Sequence, residues 1–479
     1  MRPIIQEIET SCSPESLVGQ SRSHAGVVLL RSAGFEFQQA RYSFVAAQPF
    51  LTLRAFGSRC ELTMDGQVTE RFGNPWHVLD EWLARYELLD EVDLPFPLGG
   101  AFGYWGYDLK NFVEPRLPSR AINDLELPDC HVGFYHSLVA FDHRLGKTWI
   151  IATGLGPDGT RSESRMRQQA EFWKQQLQSI ESVSDITVSS GTSGNAPVTS
   201  TFTRAGYLAA VERALNYIQH GHIYQVNLAQ RLCAPFIGDG WDFSQRLSAV
   251  SPAPFSAYLD CSEFQIASSS PELFLRLSGS HIVTRPIKGT RPRDADPTRD
   301  AQLSYELQTS AKEMSELVMI TDLLRNDLGR VCQYGSVQVP DLARLERYPQ
   351  VQHLVSTVEG QLKSNVTHLA ALAACFPGGS ITGAPKIRAM EIIDEIEPVS
   401  RGPYTGCLGY LGFNRESQLS ISIRTALLKD HAAYFHVGAG IVADSIPEAE
   451  YDETIAKARG FLAALRTVPL QEYSPAEKG

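Results

Sequence analysis

Hydrophobic and polar positions alternate along several short stretches of this chain and recur at helical spacing in others. Period-two runs predict strands over 27–30, 49–56, 138–141 and 148–153. Helical periodicity appears near 76–89 and 162–180, and again in Tyr207, Leu208, Val211, Leu215 and Ile218. Over 303–329, Leu307, Ala311, Met314, Val318 and Leu324 recur at roughly helical periodicity. Another helix is expected after residues 444–447, DSIP, where Asp or Ser can cap and Pro suits the first turn. In 283–289, Val283, Arg285 and Ile287 alternate with Thr284, Pro286 and Lys288, which predicts a strand ending at Gly289. Glycines and aromatics over 99–107, GGAFGYWGY, predict tightly packed strands and a turn. A Ser/Thr/Gly-rich connector occupies 179–203, between an N-terminal region, 1–178, and a second region, 204–466, with a polar tail at 467–479.

Composition narrows the class. The chain has 479 residues, enough for two or three domains by length, with 43% hydrophobic and 20% charged residues. Its mean hydropathy of −0.16 is that of a soluble globular protein. No window approaches the roughly 18 apolar residues of a membrane span, and the acidic N-terminus does not read as a secretory signal. Eight scattered cysteines, without a CxxC pair, fit a reducing cytoplasm and argue against a thiolate metal site. The net charge of −11, without a basic block, makes nucleic acid an unsuitable partner. An anionic substrate would therefore need local cations or a metal to attract it.

Several residues are suited to chemistry. Lys288 lies in the run 285–293, RPIKGTRPR, where Arg285, Arg291 and Arg293 crowd positive charge in sequence. Crowding that persists in the fold would favour the free, nucleophilic amine. Glu313 and Glu316 share one helical face, as do Glu450 and Glu453, with Lys457 one turn further. Converging helices would make these four carboxylates a site for a hard divalent cation, magnesium being the natural choice. The loop 376–386, FPGGSITGAPK, fails the Walker pattern but offers backbone N–H groups at a helix start. The glycines of 437–441, VGAGI, follow a predicted strand and let a ligand approach the backbone. Arg424 stands in a run otherwise suited to burial, so its partner is either a ligand carboxylate or an internal ion pair.

Taken in order, SSPE at 269–272, PIKGT at 286–290, DLLRND at 322–327, HLVS at 353–356 and the segments 378–390 and 438–457 resemble the chorismate-utilising enzymes. The likeness is strong over about 200–465 and weaker over 1–178. It implies an α+β fold like that of anthranilate synthase component I: two large twisted antiparallel β-sheets packed orthogonally as a sandwich, interleaved between the two halves, with helices outside. Anthranilate synthases carry alanine where Lys288 stands, so the lysine points to the branch that aminates chorismate at C4. Isochorismate and salicylate synthases place a water-activating lysine in the motif matching 224–228, where this chain has Gln225.

By the same resemblance, Glu316 and Glu453 would bind Mg2+ directly, with Glu313 and Glu450 reaching it through water. Arg424, Tyr404, Ser380, Gly438, Gly440 and Lys457 would surround the substrate carboxylates. His353 would be the active-site histidine and Glu272 the acid beside the leaving hydroxyl. Ammonia would come from a separate glutamine amidotransferase subunit, since no amidotransferase motif occurs in this chain. Residues 6–11, QEIETS, replace the Leu-Leu-Glu-Ser-like motif with which the anthranilate enzymes bind tryptophan, so that feedback is not expected here.

Overall fold

A computed structural model describes residues 1–32, 40–88, 94–178, 198–348 and 351–465. Most of the expected connector and all of the tail lie outside these residues. The end of the connector, Thr199–Ser200, pairs as an edge strand with Leu232 and Cys233.

Two 12-stranded sheets dominate the described residues. In the first, Ile4–Ile8, Lys147–Ala152, Ser137–Asp142, Tyr42–Ala46 and Val28–Arg31 lead directly into Phe255–Asp260. Gln265–Ser270, Thr425–Lys429, Ala432–Ile441 and Gln225–Pro235 complete most of it. In the second, Ile287–Pro292, Val351–Gln361, His281–Arg285, Leu273–Ser278, Glu416–Ile421 and Cys407–Gly412 lead into Gly100–Trp105 and the remaining early strands. Each sheet is therefore built from both halves of the sequence, through antiparallel pairs such as Ala257–Leu30 and Leu408–Tyr104.

One core lies between the sheets. Phe44, Ile151, Leu259 and Ile266 of the first meet Leu53, Phe102, Leu275 and Leu408 of the second. Residues on the outer faces pack under helices: Val139 and Ile150 contact Trp173 of the helix Glu163–Gln178, and Phe435 stacks on Phe461 of the helix Pro447–Leu465. At about 1.5–3 kcal/mol for each large side chain, this burial is what offsets the entropy of ordering the chain. The 99–107 motif is the fully buried strand Gly100–Trp105 and the turn that follows; a Cβ on Gly103 would run into the carbonyl oxygen of His131.

Four expectations change. The helical pattern of 303–329 is two helices, Pro297–Thr309 and Ala311–Val331, separated at Ser310. Ser310 is extended and its hydroxyl accepts from the Glu313 N–H at 3.3 Å, a local hydrogen bond that overrides the continuing apolar period. The strand near Lys288 is broken at Pro286 and then passes Gly289 to Pro292. Its register slips between Lys288, opposite Leu354, and Thr290, opposite His353, with Gly289 at φ +65°. The 437–441 glycines end the strand Ala432–Ile441 rather than following it. Arg424 lies outside any strand, at φ +49°, where the chain crosses from Glu416–Ile421 in one sheet to Thr425–Lys429 in the other. No helix among the described residues is long and apolar enough to cross a membrane.

Candidate active site

The slip at Gly289 shapes one side of the site. A Cβ there would lie 2.7 Å from Leu307 Cδ1 and 3.0 Å from Glu313 Oε2, so glycine lets the two helices press against the strand. Lys288 is half-buried beside this point. Its charge acts on Glu272 and on Glu316, which places the amine between the second sheet and the acidic helix. The expected crowding by arginines is absent. Arg285 pairs with Glu346, Arg291 with Glu313 at 3.4 Å, and Arg293 with Asp300 at 2.8 Å. Each guanidinium is matched by a carboxylate brought in from another element.

Glu272 is buried at the start of the strand Leu273–Ser278. Desolvation pushes its carboxyl up to about 7, against the opposing influence of the Ser380 hydroxyl, the Lys288 ammonium and the Ile287 N–H. A carboxyl near 7 can give a proton at neutral pH and take one back. Its contact with Ser380 also joins the glycine loop to this side of the site.

His353 is buried on Val351–Gln361, its Nδ1 2.9 Å from Thr290 Oγ1 and 3.3 Å from the Gly289 carbonyl. Burial lowers its pKa to about 4, with Arg424 adding to the effect, so the ring is neutral at pH 7. A proton on Nδ1 serves the Gly289 carbonyl and leaves Nε2 as an acceptor.

Arg424 itself is half-buried and makes no ion pair among the described residues; burial lowers its pKa. Of its two sequence-level alternatives, the internal ion pair is therefore not formed. Nearby, Gly438 and Gly440 are crowded from behind. A Cβ on Gly438 would sit 2.7 Å from Asn227 Oδ1 and 2.8 Å from the Tyr404 hydroxyl, and one on Gly440 would sit 2.6 Å from Gln225 Nε2. Tyr404 is buried, hydrogen-bonded to Asn227 and stacked on His436 with centroids 5.0 Å apart. Lys457 donates to the Gly438 carbonyl and to Glu453, both at 2.7 Å. Gln225 is buried with its Oε1 unpartnered.

The acidic helices do approach one another. Burial raises the Glu316 carboxyl, and Glu313 and Glu453 raise it further against Lys288 and Lys312. Burial likewise raises Glu450, with Glu453 adding to it and the Ser445 hydroxyl, 2.5 Å away, opposing. Carboxylates brought close across two helices are all-oxygen, hard donors, and a divalent cation would relieve their repulsion. The residues thus fit magnesium chemically. They stand as neighbouring pairs, with Glu313 on Arg291 and Glu453 on Lys457, and no group of three or more potential ligands is drawn together among the described residues.

The loop 378–386 is fixed from below. Lys386 donates to Asp327 at 2.6 Å and to the Cys375 carbonyl at 3.1 Å, so its charge is spent on the acidic helix rather than on an anion. Sequence reasoning missed this tie. It also missed the buried pair of Glu397 and Arg401, whose i,i+4 spacing was the only available signal.

Residues 35–463 match the family model of chorismate binding enzymes. The chain is 42% identical to the anthranilate synthase component 1 of Thermus thermophilus over 433 residues, covering 89% of this chain and 90% of that one. It is 40% identical to the aminodeoxychorismate synthase component 1 of Escherichia coli over 440 residues, covering 91% and 93%. The crystal structure of anthranilate synthase component I from Streptococcus pneumoniae superposes with a TM-score of 0.77 at 31% identity, covering 90% of this chain and 94% of that one. A site rich in acids on one side and in glycines and unpaired cation on the other thus sits in a chain that belongs to the chorismate-binding enzyme family.

Proposed function

We propose that this protein is the synthase component of an aminodeoxychorismate synthase, converting chorismate and ammonia to 4-amino-4-deoxychorismate on the route to 4-aminobenzoate and folate. Relatives named for amination at C2 and at C4 resemble the chain about equally, so the distinction rests on chemistry. The observation that carries the reading is the position of Lys288, close enough to influence both Glu272 and Glu316.

Chorismate has two carboxylates. In this reading Arg424 and the N–H groups of the glycine segments take one of them, while Glu316 and Glu453, with Glu313 and Glu450 behind, would hold Mg2+ for the other. The bound cation supplies charge neutralisation and withdraws electrons from the ring diene. As Lys288 Nζ bonds to C2, the ring double bonds move to C1=C6 and C4=C5, and the C4–O bond breaks. Glu272 protonates the departing oxygen, which leaves as water. Ammonia then bonds to C4, the double bonds return, the C2–N bond breaks to release the lysine as free amine, and the surplus proton on the new C4 nitrogen goes back to Glu272. The sum is chorismate plus ammonia giving aminodeoxychorismate plus water. His353, neutral and tied to Gly289 and Thr290, holds the slipped strand on which Lys288 is carried.

Free ammonia is scarce at neutral pH, so the reading includes a separate glutamine amidotransferase subunit, component II. Eight free cysteines support a reducing, cytoplasmic setting. The test is the product formed from chorismate, magnesium and an ammonium salt. Anthranilate, which is fluorescent and formed with pyruvate, would make the chain an anthranilate synthase component I; aminodeoxychorismate is expected. Intact-protein mass should show a chorismate-derived adduct that disappears in Lys288→Ala, and persistence of the adduct would exclude this lysine as nucleophile.

A further inference from the structure

The motif at 99–107 contributes no residue to the proposed chemistry, yet its end reaches the substrate-binding wall through Arg401. This arginine is only 2% exposed and all five of its N–H groups are used. Nε and one terminal nitrogen bind Glu397 at 2.8 and 2.6 Å. The others reach the Asn227 carbonyl at 2.7 Å, Thr405 Oγ1 at 3.1 Å and the Ile381 carbonyl at 3.3 Å. Glu397 in turn accepts the Ala229 N–H at 2.8 Å.

Three separate pieces of the wall therefore meet on one ion pair. They are the strand that carries Asn227, the glycine loop at Ile381, and the turn at Tyr404 and Thr405. Asn227 closes the set by donating to the Ile381 carbonyl at 3.0 Å.

The guanidinium is steadied by the N-terminal half. Its carbon lies 4.8 Å from the ring centre of Tyr107, and Lys110 Nζ lies 4.7 Å from the same ring. The Tyr107 N–H donates to the Gly402 carbonyl at 2.7 Å, and the Gly402 N–H donates to Asp108 at 3.2 Å. Among the described residues the buried Tyr107 hydroxyl has no hydrogen-bond partner, so the ring face rather than the oxygen makes the contact.

We infer that Tyr107 and Asp108 are positioning residues for substrate binding: through Arg401 and Glu397 they set the spacing between Tyr404, Asn227 and the glycine loop. This rests on the reading that those groups border the chorismate carboxylates. Lys288 and Glu272 sit on strands that the clamp does not touch, and the clamp holds the glycine loop at Ile381 rather than at Ser380, which contacts Glu272, so loosening it should fall mainly on binding rather than on the chemical step.

The experiment measures chorismate KM and kcat with ammonium salt for wild type, Tyr107→Phe and Tyr107→Leu, with thermal melting as the check of folding. Tyr107→Phe should match wild type. Tyr107→Leu should raise chorismate KM about fivefold or more while kcat stays within about twofold and the ammonium KM is unchanged. Asp108→Ala, which releases Gly402 while leaving the core ring in place, should show the same split and serves if Tyr107→Leu does not fold. A folded variant with lowered melting temperature and wild-type chorismate KM would reduce Tyr107 to a packing residue and overturn the inference. A wild-type protein that does not turn over chorismate would instead overturn the functional reading, and this inference with it.

Discussion

Replacing Glu272 with glutamine isolates the most strongly placed acid of the site. Burial holds this carboxyl at about 7 against an ordinary value of 4.5. At about 1.4 kcal/mol for each tenfold change, that difference disfavours the ionised form in the folded protein by about 3 kcal/mol. The folded state thus binds the proton more tightly than the unfolded chain does. Protonated Glu272 adds its stability fully below the unfolded value, and the contribution is lost as pH rises through the folded one. Glu272→Gln keeps the shape and cannot ionise. Relative to wild type, its stability should therefore improve by about 3 kcal/mol between pH 4.5 and pH 8.

Urea unfolding of both proteins at intervals across that range measures the difference directly. The kinetic counterpart is kcat/KM for chorismate at constant free ammonia. The wild-type profile should decline above pH 7 as the acid is lost, whereas the variant should be slower by about 10²- to 10⁴-fold and lack that limb. A stability difference that stays flat from pH 4.5 to pH 8 would show that the carboxyl is ordinary, and the assignment of Glu272 as the proton donor would fail with it.

Two other changes test neighbouring features. Gly289→Ala places a Cβ 2.7 Å from Leu307 Cδ1 at a backbone φ of +65°, and should cost about 1–3 kcal/mol in urea unfolding together with activity, because Lys288 is displaced; wild-type stability would refute the strained slip. Magnesium alone, at about 100 times its dissociation constant, should stabilise the wild type by about 2.7 kcal/mol, and Glu316→Gln should remove most of that gain; equal stabilisation of both would place the metal elsewhere.

What the amino-acid sequence determined by itself is mostly local. The helices Glu163–Gln178, Arg204–Gln219 and Pro447–Leu465 follow from apolar period, which acts within a turn or two of the chain; Thr203 caps the second, whereas Ser445, expected as a cap of the third, instead accepts from the Val442 N–H and donates to Glu450. The paired acids, Lys288 and the glycine loop were legible because residue type and spacing alone limit what such groups can do. The break at Ser310 was missed because the apolar period runs on across it, although the Ser-x-x-Glu pattern ending at Glu313 is the local signal of a helix start.

Only the tertiary structure decided which charges cancel. Arg285 finds Glu346, 61 positions away, and Arg291 finds Glu313, 22 positions away, so a run that reads as a cationic cluster is electrically matched. Arg424, where the chain crosses between the sheets, makes no ion pair among the described residues. Lys386, at the end of the glycine loop, is held by Asp327, 59 positions away. Coulomb and hydrogen-bond energies depend on distance in space, and two sheets assembled from both halves of the chain make that distance nearly independent of separation in sequence.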